Sequence, residues 1–95
     1  METAFHILLS KHLQSRKDRN PSYSLRAFAR DVAVNAGDLS RIAAGKKLPS
    51  DHFLAAMAKS GKFNDLELAQ LIGAALEAKR QFLLTLANQS TSLEK

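Results

Sequence analysis

The stretch Ser24–Gly45, SLRAFARDVAVNAGDLSRIAAG, constrains the fold more tightly than any other part of the chain. It contains two strong helix-start residues, Ser24 and Asn35, and one helix-stop residue, Gly45. A side-chain oxygen at the first position of a helix accepts a hydrogen bond from an otherwise unpaired N–H, and glycine adopts the left-handed turn that ends one. The spacing predicts two helices of about two turns each, joined by a short turn at Ala33-Val34. Asp38, three residues after Asn35, resembles the second member of a capping box. Neither helix is long enough to be stable alone, so each must bury its apolar face against a neighbour. Leu25, Phe28, Ala29 and Val32 mark that face on the first helix, and Leu39 and Ile42 on the second.

The rest of the chain also reads as helix. No run alternates apolar and polar residues over strand length, and β-branched residues are scarce. A leading segment is expected over about Thr3 to Lys17, with Phe5, Leu8, Leu9 and Leu13 on one face. It ends before Asn20-Pro21, because a residue preceding proline is disfavoured in helical geometry. After a loop at Lys46–Pro49, Ser50 caps a fourth segment running to about Lys59, and Gly61 ends it. Asn64 caps a fifth and longest segment, about Asp65 to Ala87, with Asp65 and Glu67 in its first turn. The expected fold class is therefore all-α, five helices in one domain over residues 1–88, with 89–95 as a polar tail.

Ninety-five residues can bury roughly 60–65% of their extended surface, enough for one core but little for a deep catalytic cleft. The absence of cysteine excludes disulfides, cysteine-based zinc sites and a thiol nucleophile. His6, His12 and His52 share no ligand ladder, and Ser10, His12 and Asp18 lie along one helix and cannot converge as a triad. No catalysis and no cofactor is expected. The opening METAFHILLSKH lacks a basic segment and a continuous apolar run, and no stretch approaches the ~18 apolar residues of a membrane span. A soluble, cytoplasmic protein is the expectation.

Charge is distributed unevenly. Residues 1–49 carry nine basic against four acidic residues, a net of +5, whereas residues 50–95 carry five of each. A local positive field attracts a polyanion and releases its counterions on binding.

The run Phe28-Ala29-Arg30-Asp31-Val32-Ala33-Val34-Asn35, continuing Ala36-Gly37-Asp38-Leu39-Ser40-Arg41-Ile42-Ala43-Ala44-Gly45, resembles the lambda-repressor-like (Xre/Cro type) helix-turn-helix. Its usual form is L-A-x-x-x-G-[VIL]-S-x-x-x-[IL]-S-x-[ILV]-x-x-G. The five-helix layout extends the likeness over about residues 5–85. The preceding RKDRNPSYSLRAFAR is similar to the opening of a group of bacterial regulators in which a larger carboxy-terminal region follows. That region is absent from this sequence, which is expected to be either a stand-alone variant or a fragment.

The resemblance implies a transcriptional regulator binding double-stranded DNA, with a recognition helix at about 35–44. It places Ala36, Gly37, Ser40 and Arg41 where base edges are read. Arg41 could bridge guanine O6 and N7 or grip a phosphate, Ala36 could touch a thymine methyl, and Gly37 could admit the backbone. Phosphate contacts fall to Ser24, Arg26, Arg30, Asn35, Lys46 and Lys47; the family often has glutamine where this chain has Leu25. Arg16, Lys17 and Arg19 could extend the reach. Asp38 facing the groove would repel phosphate, which favours a capping role.

On the fifth segment, Leu68, Ile72, Ala75, Lys79, Phe82 and Leu86 recur at alternating spacings of four and three, and Leu66, Leu71, Leu76 and Leu83 widen the apolar face. One small domain cannot easily cover all of it. Part is expected to pack on the core and part on a second copy, with Leu68, Ile72, Ala75, Phe82 and Leu86 as the dimer interface. The competing reading is a protein-interaction module that keeps the helix-turn-helix frame without base readout.

Overall fold

The computed structural model describes residues 4–93, with side chains over residues 4–89. Within these bounds the chain is all-helical: α1 Ala4–Arg19, α2 Leu25–Asp31, α3 Ala36–Ala43, α4 Asp51–Lys59 and α5 Asp65–Leu93. No strand occurs among the described residues. Thr3, the expected first helical residue, lies outside them.

Each of the last four helices starts where the side-chain chemistry requires. Ser24 Oγ accepts from the Ala27 N–H at 3.0 Å, Asn35 Oδ1 from Asp38 at 3.0 Å, and Ser50 Oγ from Phe53 at 3.1 Å. Among these four, the reciprocal capping box forms only at α5, where Asn64 Oδ1 accepts from the Glu67 N–H and Glu67 Oε1 accepts from the Asn64 N–H, at 2.7 and 2.9 Å. The box expected at Asn35 and Asp38 is half made, because the Asp38 carboxylate is directed elsewhere.

The ends of α2 and α3 are closed by the same device. After α2, the Val34 N–H donates to Ala29 O and the Ala33 N–H to Arg30 O; after α3, Lys46 donates to Arg41 O and Gly45 to Ile42 O. This six-to-one and five-to-two pairing is the Schellman motif, whose turning residue must be left-handed. Gly45 fills that place after α3 with φ +77°, whereas after α2 it is filled by Ala33 at φ +58°. The turn is thus built on a residue that disfavours its own conformation.

The core gathers the inward faces named above. Phe5, Leu9, Phe28, Ala29, Val32, Leu39 and Ile42 are buried together with Phe53, Met57, Phe63, Leu71 and Ala75. Phe28 and Leu39 are fully enclosed at 0% exposure, so the facing sides of α2 and α3 share one interior. Burial of such a side chain contributes about 1.5–3 kcal/mol. Helix α1 packs against α3 and α5, and α2 packs against α3. The His6 ring lies 3.6 Å from where a side chain on Gly45 would begin.

Helix α5 does not end near Ala87; it continues to Leu93, through most of the stretch expected to be a polar tail. Residues 94 and 95 lie outside the described region. The first half of α5 is anchored by Leu71, Ala75 and Ala78, all buried. From Arg80 to Gln89 every residue is exposed. The helix therefore projects beyond the core, consistent with overall extents of 55 × 24 × 19 Å.

Candidate nucleic-acid interface

The residues expected to read base edges lie on or beside the first turns of α3, and they do not behave alike. Ser40 and Arg41 are exposed. Ala36 is half-buried and packs against the core, which leaves its methyl only partly available to a thymine. Gly37 is exposed, and its lack of a side chain has a local cause. A Cβ there would stand 3.0 Å from the capping Asn35 Oδ1 and 3.8 Å from the Arg41 guanidinium. Glycine keeps the cap uncrowded, while the arginine would meet such a Cβ only in ordinary contact.

That arginine turns toward Asp38. Arg41 Nη2 donates to Asp38 Oδ1 at 2.7 Å, and Lys47 Nζ donates to the same oxygen at 2.9 Å. One carboxylate therefore joins a cation on α3 to a cation in the loop that follows it. The hydrogen bonds from Lys47 and Arg41 hold the Asp38 carboxyl below the usual carboxylate range. All three groups retain access to solvent, so these are surface pairs. Sequence reasoning assigned Asp38 to capping; its carboxylate instead accepts from Arg41 and Lys47 and offsets one of their two charges. Its charge opposite Lys47 is the signal in the sequence, but the contact depends on the loop folding back.

The remaining candidates for phosphate contact are more open. Arg26 and Arg30, four residues apart on α2 and hence on one face, are exposed, as is Lys46. None of these three forms an ion pair with another described residue. Ser24 and Asn35 are exposed but committed as acceptors to their helix starts. The Ser24 hydroxyl hydrogen and the Asn35 amide hydrogens remain able to donate. Contacts bring Asn35, Gly37, Asp38, Arg41 and Lys47 into one cluster, whereas Ser24, Arg26 and Arg30 belong to α2, which packs on α3.

Arg16 is not part of this surface. Its guanidinium sits 4.8 Å from the Phe28 ring centre and 5.3 Å from that of Phe63, and it donates to the His12 and Lys62 carbonyls. It holds α1 against the core through cation–π and backbone contacts. His12, edge-on to Phe63 at 5.2 Å, has its pKa lowered by burial despite the nearby Glu67.

No family model, curated protein or solved structure matches the chain.

The expected dimer residues divide. Ala75 is buried in the chain's own core, and Leu68 packs against that core while half-buried, as Ile72 is half-buried too. These three lie in the first half of α5 and face the chain's own core, although Leu66 in the same half is 68% exposed. Phe82 and Leu86 are 50% and 43% exposed, and Leu76 and Leu83 stand beside them at 58% and 56%. The Lys79 position in the series is occupied by an ion pair to Asp51 at 3.1 Å. Phe82 also lines an open groove of about 700 Å³, whose other wall is formed by Ala4 and the Gly45–Leu48 loop. Among the described residues, no three His, Asp or Glu side chains could jointly hold a metal ion, and no helix is long and apolar enough to cross a membrane.

Proposed function

We propose that the chain is a lambda-repressor-like, helix-turn-helix DNA-binding domain that acts on double-stranded DNA as a homodimer and serves a transcriptional regulator. The observation that carries the reading is the α2–α3 unit. Two capped helices of seven and eight residues are joined by a left-handed turn and buried against each other, with Ser40 and Arg41 outward on the second. Exposed Arg26, Arg30 and Lys46 flank it with positive charge. Such a unit offers a helix to the major groove and cations to the backbone on either side. With few side chains able to contact bases, shape readout and half-site spacing would carry much of the specificity.

The proposed partner surface is the outer half of α5. The buried series Leu71, Ala75, Ala78 continues at helical spacing into Phe82 and Leu86, where no core lies beneath it. The nine residues Gln81–Gln89 carry no charge. An uncharged apolar face is self-complementary, which suits an identical copy related by a two-fold axis. Sedimentation at tens of micromolar should give about 20 kDa, twice the chain mass of 10.4 kDa. A particle of one chain mass in that range rules this interface out.

A second reading, a protein-interaction module that keeps the frame but lacks base readout, is favoured by the half-buried Ala36 and the bare Gly37. Selection of bound sequences from a random duplex pool separates the two. Enrichment of a motif with two half-sites about one helical turn apart supports the regulator. Recovery of no duplex, even at low salt, supports the module.

A further inference from the structure

We propose that Asp38 is a specificity-determining residue, one that suppresses sequence-blind DNA binding by occupying Arg41 and Lys47; the inference rests on the duplex-binding reading above. A single oxygen, Asp38 Oδ1, accepts from Arg41 Nη2 at 2.7 Å and from Lys47 Nζ at 2.9 Å. Arg41 and Lys47 alone would present +2 to a phosphate; with Asp38 paired to both, the three groups present +1. The two cations come from different elements, so the carboxylate also fixes the loop after α3 relative to the helix.

A phosphate oxygen and this carboxylate compete for the same donors. Any backbone contact made by Arg41 or Lys47 therefore sets a phosphate beside the negative charge of Asp38, whether the carboxylate is displaced or stays paired. A base edge makes no such demand. Arginine has five N–H donors, and the pair with Asp38 leaves several free for the uncharged acceptors of guanine. The cytosine amino group is itself a donor to a carboxylate. The penalty from Asp38 consequently falls on phosphate contacts, which every duplex offers, rather than on base contacts, which few do. Exposure makes the pairs breakable, as a selective device requires.

The test compares wild type with Asp38→Asn, which keeps the side-chain shape and removes the charge. Binding to a selected duplex and to a random-sequence duplex is followed by fluorescence anisotropy between about 50 and 200 mM salt. Asp38→Asn should bind the random duplex about tenfold more tightly for each phosphate contact regained, with a log–log salt slope steeper by about one to two. Its preference for the selected duplex should fall. Lys47→Met provides a second arm: it should cost more in the Asp38→Asn background than in wild type, because only there is the lysine released from the carboxylate. Unchanged random-duplex affinity and slope in a folded Asp38→Asn, or equal costs of Lys47→Met in both backgrounds, overturns the role of Asp38 alone. Binding of no duplex by either protein overturns the duplex-binding reading and this inference with it.

Discussion

Replacing Ala33 with glycine should make the protein more stable, an unusual outcome for a glycine substitution. Ala33 is the turning residue of the Schellman motif after α2, at φ +58°. An L-residue in that region is disfavoured by about 1–2 kcal/mol relative to its right-handed conformation, and glycine avoids this. Against it stands the greater freedom of glycine in the unfolded chain, roughly 0.4–1 kcal/mol. Ala33 is exposed, so deletion of its methyl leaves no cavity. The balance is a gain of about 0.5–1 kcal/mol, or an increase in Tm of about 2–8 °C for a domain of this size. Thermal unfolding followed by helical circular dichroism at fixed protein concentration measures it. Two controls set the sign. Ala44→Gly, at the right-handed cap of α3 with φ −82°, should lose about 0.5–1 kcal/mol. Gly45→Ala, at φ +77° with only ordinary contact to the His6 ring, should lose about 1 kcal/mol through backbone strain. A Tm for Ala33→Gly at or below that of wild type refutes the reasoning.

Other outcomes follow from the same geometry. Leu39→Ala, at a side chain with no exposure between α2 and α3, should cost about 2–5 kcal/mol in chemical denaturation; a loss under 1 kcal/mol would mean the two helices do not share the core. Tyr23, the single tyrosine, is pushed up to about 12 by burial and by its 2.6 Å hydrogen bond to Asp31. Its ultraviolet absorbance should titrate near that value, well above the ordinary 10. Because the folded state favours the protonated phenol, its contribution to stability is complete below pH 10 and is lost as pH rises toward 12; titration near 10 would contradict the packing. Asn64→Ala, which removes half of the capping box at α5, should cost about 0.5–2 kcal/mol in thermal unfolding, and no change would mean the box is not formed in solution.

Much of the fold was legible because short polar side chains at helix starts act locally. Ser24, Asn35, Ser50 and Asn64 each need only a backbone N–H three residues away, so sequence position reveals the bond. The helical spacing of Leu25, Phe28, Ala29, Leu39 and Ile42 likewise announces a buried face. Other features were hidden because they depend on distant neighbours or on backbone angles that residue type does not report. Ala33 was legible as a small turn residue but not as a left-handed one. Asp38 lies where a capping acid would lie, and only the returning Lys47 redirects it. Arg16 reads as one more surface cation until Phe28 and Phe63 arrive from other parts of the chain. The polarity of Asn88-Gln89-Ser90-Thr91-Ser92 suggested a tail, yet α5 runs through it to Leu93.

The most direct test of the central claim is mapping of backbone amide NMR shifts as a short duplex is added at low salt. The duplex-binding reading predicts salt-sensitive shifts concentrated at Gly37, Ser40, Arg41, Lys46 and Lys47, with smaller ones at Ser24, Arg26 and Arg30. Amides that do not move, or shifts confined to α4 and the outer half of α5, would contradict it.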